Sequence, residues 1–164
     1  LVAGLFHAHF AWLFDRTTTN YSIYAKDVLK DPDIRFFYRW YYPITAFAYI
    51  LPAAFGWLLG GPEHVVACLL IGGAFRIMVF QNVVWSVNSI GHTFGSRDAT
   101  EDDDSRNNLA LAILTFGEGW HNNHHASPRC AINQWKWYQI DMGGWILLGL
   151  EKVGLIHKVH RKHL

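Results

Sequence analysis

Between Trp40 and Pro62 the chain carries no charged side chain over about 23 residues. An α-helix needs about 20 predominantly apolar residues to cross the hydrocarbon core of a bilayer, so 40–62 reads as a spanning segment. Pro43 and Pro52 lie inside it, but proline is tolerated where neighbouring groups satisfy the backbone it frees. Trp40, Tyr41 and Tyr42 suit an interfacial aromatic belt. After a short turn at 60–64, a second apolar run covers 65–90, interrupted by Arg76, Gln81 and Asn82. Polar groups in a spanning helix are costly unless they face protein or water, so these interruptions point to function. The expected fold is all-α, an integral membrane helical hairpin with two transmembrane helices.

Charge placement orients this hairpin. Arg16, Lys26, Lys30, Arg35 and Arg39 precede the first run, the turn has no Lys or Arg, and eight more follow between Arg97 and Lys162. Lys and Arg favour the cytoplasmic face, so both flanks are expected there, with 93–164 forming a cytoplasmic helical cap. Within the cap, 109–116 and 145–157 read as helices, and 93–108 as a polar, acidic loop. Upstream, 34–42 is expected to start a helix running into the first span. A net charge near +1 gives no basis for nucleic-acid binding. Cys68 and Cys130 have no metal-ligand spacing and suggest no disulfide framework. The apolar start at Leu1 lacks the charged region of a signal peptide and looks like part of something longer.

The stretch Gly117-Glu118-Gly119-Trp120-His121-Asn122-Asn123-His124-His125 carries the chemistry. On a helix, His121, His124 and His125 stand at i, i+3 and i+4 and share a face. Neutral imidazole suits iron, zinc, copper and nickel, so a metal site is expected. Gln81, Trp85, Asn88 and His92 are spaced by four, three and four residues and fall on one helical stripe. Asn88 and His92 lie at its cytoplasmic end. Four histidines and an asparagine exceed the three protein ligands of a catalytic zinc and fall short of two full metal shells. The count points to a dinuclear site of which this chain holds part. The tail histidines His157, His160 and His163 read as a solvated basic tail.

The Gly-Glu-Gly-aromatic-His-Asn-x-His-His pattern at 117–125 and Trp85-x-x-Asn88-Ser89-x-x-His92 resemble the membrane fatty acid desaturases, specifically the Δ9 acyl-CoA type and its bacterial relatives. Asp31-Pro32 with Arg35-Phe36, Ser105-Arg106-Asn107-Asn108, Trp137 through Asp141, and the opening segment with His9 and Trp12 extend the similarity over most of the chain. The resemblance implies the C-terminal half of a four-span fold and a nonheme diiron enzyme that desaturates a saturated acyl chain with O2. Its electron donor would be cytochrome b5-like or ferredoxin-like, and its surroundings membrane lipids. His92, His121, His124 and His125 would ligate two Fe ions, with Asn88 bound through water. Gln81 and Trp85 would line the acyl tunnel, where the family commonly has Thr in place of Val84. Glu118 would act behind the ligands, and His9, not an iron ligand, would be structural or act behind them.

The family's upstream His-x-x-x-x-His and His-x-x-His-His boxes are missing here, so the shell is expected to be incomplete and the isolated chain inactive. A histidine-box hydroxylase and a non-catalytic metal-binding membrane protein are the alternative functions.

Overall fold

The computed structural model describes residues 2–16, 19–100 and 102–162. Glu101 of the acidic loop and His163 of the tail lie outside the described residues. The fold is all-helical, with the order α1 (Val2–His9), α2 (Tyr21–Tyr24), α3 (Lys26–Lys30), α4 (Pro32–Arg39), α5 (Tyr41–Gly60), α6 (Pro62–Cys68), a π-helical stretch (Leu69–Phe75), α7 (Arg76–Ser89), α8 (Leu109–Leu114), α9 (His121–Ala126) and α10 (Met142–Lys152). A 3-10 turn covers Ala11–Phe14. The chain divides into two compact units, one made of 1–13 with 82–164 and the other of 14–81.

The second unit holds the helical hairpin. α4 is capped by Asp31, whose carboxylate accepts from the N–H groups of Asp33 and Ile34, with Pro32 in its first turn. The expected continuous helix through 42 is broken, because α4 ends at Arg39 and α5 starts at Tyr41. Pro43 is the reason: it has no N–H to bond back to Arg39, and it sits instead in the first turn of α5, where no such bond is needed. α5 is 20 residues long, and Pro62–Ser89 runs helically for 28. Both are long and apolar enough to cross a membrane, and only 6% of the most apolar stretch of each is buried. That exposure is the opposite of a soluble protein's core helix.

Arg76 in this apolar setting has a structural partner, which corrects the expectation that every polar interruption marks function. Pro52, inside α5, cannot donate to the carbonyl of Ala48 four residues earlier. The Arg76 guanidinium reaches that carbonyl, its Nη2 donating to Ala48 O at 3.4 Å. Its Nε donates to Gly72 O at 2.7 Å, in the π-helical stretch. One cation thus serves backbone acceptors on both arms of the hairpin.

In the other unit the core is small and largely polar. Its buried hydrophobic residues are Leu111, Ala112, Trp120 and Ile132, beside a larger set of buried amides and hydroxyls. α8 and α10 match the two helices expected in the cap, with α10 starting at Met142 and ending at Lys152 rather than His157.

The Arg76–Pro52 relation makes a specific prediction. Arg76→Met should destabilise the detergent-solubilised protein less in a Pro52→Ala background, with a coupling of about 0.5–1 kcal/mol. Thermal melts of the four proteins of the cycle measure it.

Candidate metal centre

The two histidine segments are delivered by different devices. α7 closes with the N–H groups of Ile90 and Gly91 both bonding Ser86 O, at 2.8 and 3.2 Å, and the Thr93 hydroxyl donating to Ser89 O at 2.7 Å. His92 sits in this turn rather than on the helix. The second segment enters through Gly117, whose φ of +119° suits glycine, and Gly119, where an added Cβ would strike the backbone of Ala112. The glycines of the GEGW sequence are therefore a steric requirement. Trp120 then buries its ring and donates Nε1–H to Ile140 O at 2.7 Å, and α9 begins at His121.

The two asparagines between the histidines anchor this short helix. Asn122 is completely buried. Its Oδ1 accepts from Ala99 N and Thr100 N at 2.7 and 3.2 Å, and its Nδ2 donates to Thr100 O and Ser105 O at 2.8 and 3.1 Å. Asn123 Nδ2 donates to Asn133 O at 2.8 Å and to Gln139 Oε1 at 3.0 Å, while its Oδ1 accepts from Asn107 Nδ2 at 2.8 Å. Asn107 Oδ1 in turn receives the backbone N–H groups of both asparagines. Gln139 and Asp141 extend the network. Gln139 Oε1 accepts from Trp135 N and Lys136 N, and Asp141 from Asn133 N, Gln134 N and Gly144 N. α9 has only six residues and could not hold its shape alone; tertiary hydrogen bonds fix its rotation.

With the asparagines turned into the fold, the histidines converge. His92 Nε2 lies 3.0 Å from His121 Nε2, and His125 Nε2 lies 3.1 Å from the same atom. One ligating nitrogen from each of His92, His121 and His125 falls within 4.8 Å of the others. A neutral imidazole has one N–H donor and one lone pair, so three facing Nε2 atoms cannot all be satisfied by one another. At metal–nitrogen lengths of about 2.0–2.1 Å, two imidazole nitrogens bound at right angles lie roughly 2.9 Å apart, close to the spacings here. The donor set fits a divalent metal ion, and the cluster is capable of coordinating one.

Its electrostatics agree with that chemistry. Burial, followed by the nearby His125, His92 and His124, pushes His121 down to about 3. Burial first, then His125, lowers His92, against the pull of Asp103 and Asp104. Both rings are held in the neutral form that binds metals. His125 Nδ1 donates to the Asp103 carboxylate. Burial acts to raise that carboxyl, but hydrogen bonds from Ser105 and His125 prevail and hold it at about 2. His121 Nδ1 is buried with no hydrogen-bond partner among the described residues.

The remaining expected residues are placed as follows. His124 is half-buried beside the trio, its ring stacked parallel to His121 with centroids 5.9 Å apart. Asn88 is exposed and borders, with His92, Asp104, Gly4 and Ala8, a cavity of about 530 Å³. Gln81 and Trp85 do not line that cavity. Trp85 packs edge-on against His9 and Phe10, at 6.1 and 5.8 Å between centroids. His9 spends its ring nitrogens on Ser89 Oγ (2.8 Å) and Asn82 Oδ1 (3.2 Å), not on a cluster residue. Glu118 is exposed in the turn before α9, so it shares no helical stripe with His121 and His125.

Sequence reasoning missed Asp103 and the roles of Asn107, Asn122, Asn123, Gln139 and Asp141. One signal was present: Asp103 accepts the Ser105 N–H at 2.7 Å, the Asx turn that an Asp-x-Ser sequence favours. Because Asn122 leaves several buried backbone groups unpaired when removed, Asn122→Ala should lower unfolding free energy by at least about 2 kcal/mol. Chemical denaturation of the detergent-solubilised protein checks this.

Comparison with known proteins agrees with this geometry. The fatty acid desaturase family profile matches residues 2–149. The hex-5-enoyl-[acyl-carrier protein] acetylenase of Moorena producens is 39% identical over 157 residues, covering 95% of this chain and 49% of that protein. The acyl-CoA C20 Δ5-desaturase of Anemone leveillei is 36% identical, covering 94% and 48% respectively. The sn-2 palmitoyl-lipid 9-desaturase of Nostoc is 34% identical, covering 95% and 54%. The chain spans about half the length of the relatives it matches. With the family pattern extending from α1 almost to the end of α10, around a histidine cluster able to hold a metal ion, the chain belongs to the fatty acid desaturase family.

Proposed function

We propose that the full-length protein carrying this chain is an oxidoreductase that inserts a double bond into a saturated fatty acyl chain at a pair of nonheme irons. The observation that carries this reading is the meeting of three Nε2 atoms from segments 29 residues apart, His92 and His121–His125. In this reading α5 and the Pro62–Ser89 helix are a transmembrane hairpin, their exposed apolar side chains facing lipid. The cap built from 93–164 lies on the cytoplasmic side, where Lys and Arg are concentrated. The chain is read as part of a longer desaturase domain, since it spans about half the length of the matched relatives.

His92, His121, His124 and His125 are assigned as iron ligands, with Asn88 acting through a water. His124, next to the trio but outside it, would serve the second iron together with ligands from outside this chain. Two bound irons would supply O2 activation and removal of hydrogen from an unactivated C–H bond. Overall, two hydrogens leave the acyl chain, and two electrons from a redox donor with two protons from solvent complete the reduction of O2 to two waters. A cytochrome b5-like or ferredoxin-like protein would supply those electrons.

This chain's residues have simpler tasks. Asn122 and Asn123 hold the histidine helix at its rotation. His9 and Ser89 brace α1 against α7, and Trp85 with Gln81 present the helix surface assigned to the acyl chain. The matched relatives are named for carrier-protein, CoA and lipid substrates and for different positions. A Δ9 double bond on acyl-CoA or a related thioester is the reading favoured by the histidine-box motifs.

Expression of the full-length protein in a host lacking the activity, followed by lipid analysis, tests the function. A new double bond is expected; hydroxylated chains would indicate the hydroxylase alternative, and unchanged lipids with retained metal the non-catalytic one. Independently, His92→Ala and His124→Ala should each reduce iron content measurably and abolish product formation. Elemental analysis showing full iron in both would contradict the ligand assignment.

A further inference from the structure

We propose that Asp103 is a positioning residue that fixes the tautomer of His125 and aims its Nε2 at the metal. This rests on the metal reading above and adds a group that the histidine boxes do not contain. The cluster's other acids do not fill this place: Glu118 is exposed in a turn, and Asp104 borders the cavity beside His92.

The geometry is closed on itself. Asp103 Oδ2 receives His125 Nδ1–H, while Asp103 Oδ1 receives Ser105 N–H at 2.7 Å. The Arg97 guanidinium donates to the Asp103 carbonyl at 2.5 Å. The loop on both sides of Asp103 is gripped by Asn122, through Ala99 and Thr100 before it and Ser105 after it. Asn122 lies on α9, the helix that carries His125. The histidine helix therefore holds the loop, and the loop returns a carboxylate to that helix.

The consequence is chemical. A carboxylate can only accept, so His125 must carry its proton on Nδ1 and leave Nε2 with a lone pair. That lone pair is the one facing His121 and His92. Carboxylates behind ligating histidines orient the ring and raise its basicity, and their loss commonly costs 10–100-fold in metal affinity.

Two substitutions separate positioning from simple structural support. In Asp103→Asn, the carbonyl oxygen can still receive the Ser105 N–H, which leaves the amide NH2 facing His125 Nδ1. That favours the wrong tautomer, with the proton on Nε2. Asp103→Ala removes the partner without imposing a tautomer. Iron affinity of the full-length protein, measured by chelator competition, should fall about 10–100-fold in Asp103→Ala and at least as far in Asp103→Asn. Mössbauer spectra of residual iron should show an altered site, while the thermal midpoints stay near wild type. Wild-type affinity in both variants, or a mild Asn variant beside a severe Ala variant, would overturn the proposal. His121→Ala is the control: if it retains iron, the metal reading itself fails, whereas loss of iron there with an unaffected Asp103→Ala defeats only the positioning role.

Discussion

The arrangement of the cap depends on the burial of two primary amides, Asn122 and Asn123, between metal-capable histidines. A six-residue helix has no useful stability of its own, and the apolar core available to it is four residues. The amides substitute for that core. Each makes hydrogen bonds to backbone that is distant in sequence, so the histidine helix can sit in only one rotation without stranding buried polar groups. In that rotation the asparagines face inward and the imidazoles face one another. Gln139 and Asp141 continue the same logic by organising the strand-free segment 133–144 against the helix.

Much of this was legible from sequence. The uncharged run and its partner identified the helical hairpin, because length and apolarity are set by the medium a helix must occupy. The histidine spacing showed which rings could share a face, and His92 stood out through its register with Asn88 and Trp85. What could not be read was which polar residues turn inward. Asn122 and Asn123 look like spacers until the loop 99–105 closes over them. Asp103 is one of three consecutive aspartates, and only the Asx turn with Ser105 distinguishes it. Glu118 is expected to act behind the ligands, a role that needs the histidine helix to extend back through Gly119. The structure starts that helix at His121.

The hairpin shows the same limit. Arg76 was conspicuous as a charge in an apolar helix, yet its meaning lay in Pro52, twenty-four residues away. A proline removes a donor, a neighbouring arm supplies one, and the charge becomes part of the backbone hydrogen-bonding of a segment surrounded by apolar side chains. His9 followed a similar course: both ring nitrogens serve α7 residues, which places it in the scaffold beside Trp85.

The central claim is that the convergent imidazoles form one arm of a dinuclear iron site completed by sequence outside this chain. X-ray absorption at the iron edge of the full-length protein tests it most directly. The account predicts two irons per chain in shells dominated by imidazole nitrogen, with the nitrogen contribution reduced in a His121→Ala protein. A shell dominated by carboxylate oxygen, or a wild-type protein that holds no iron, would contradict it.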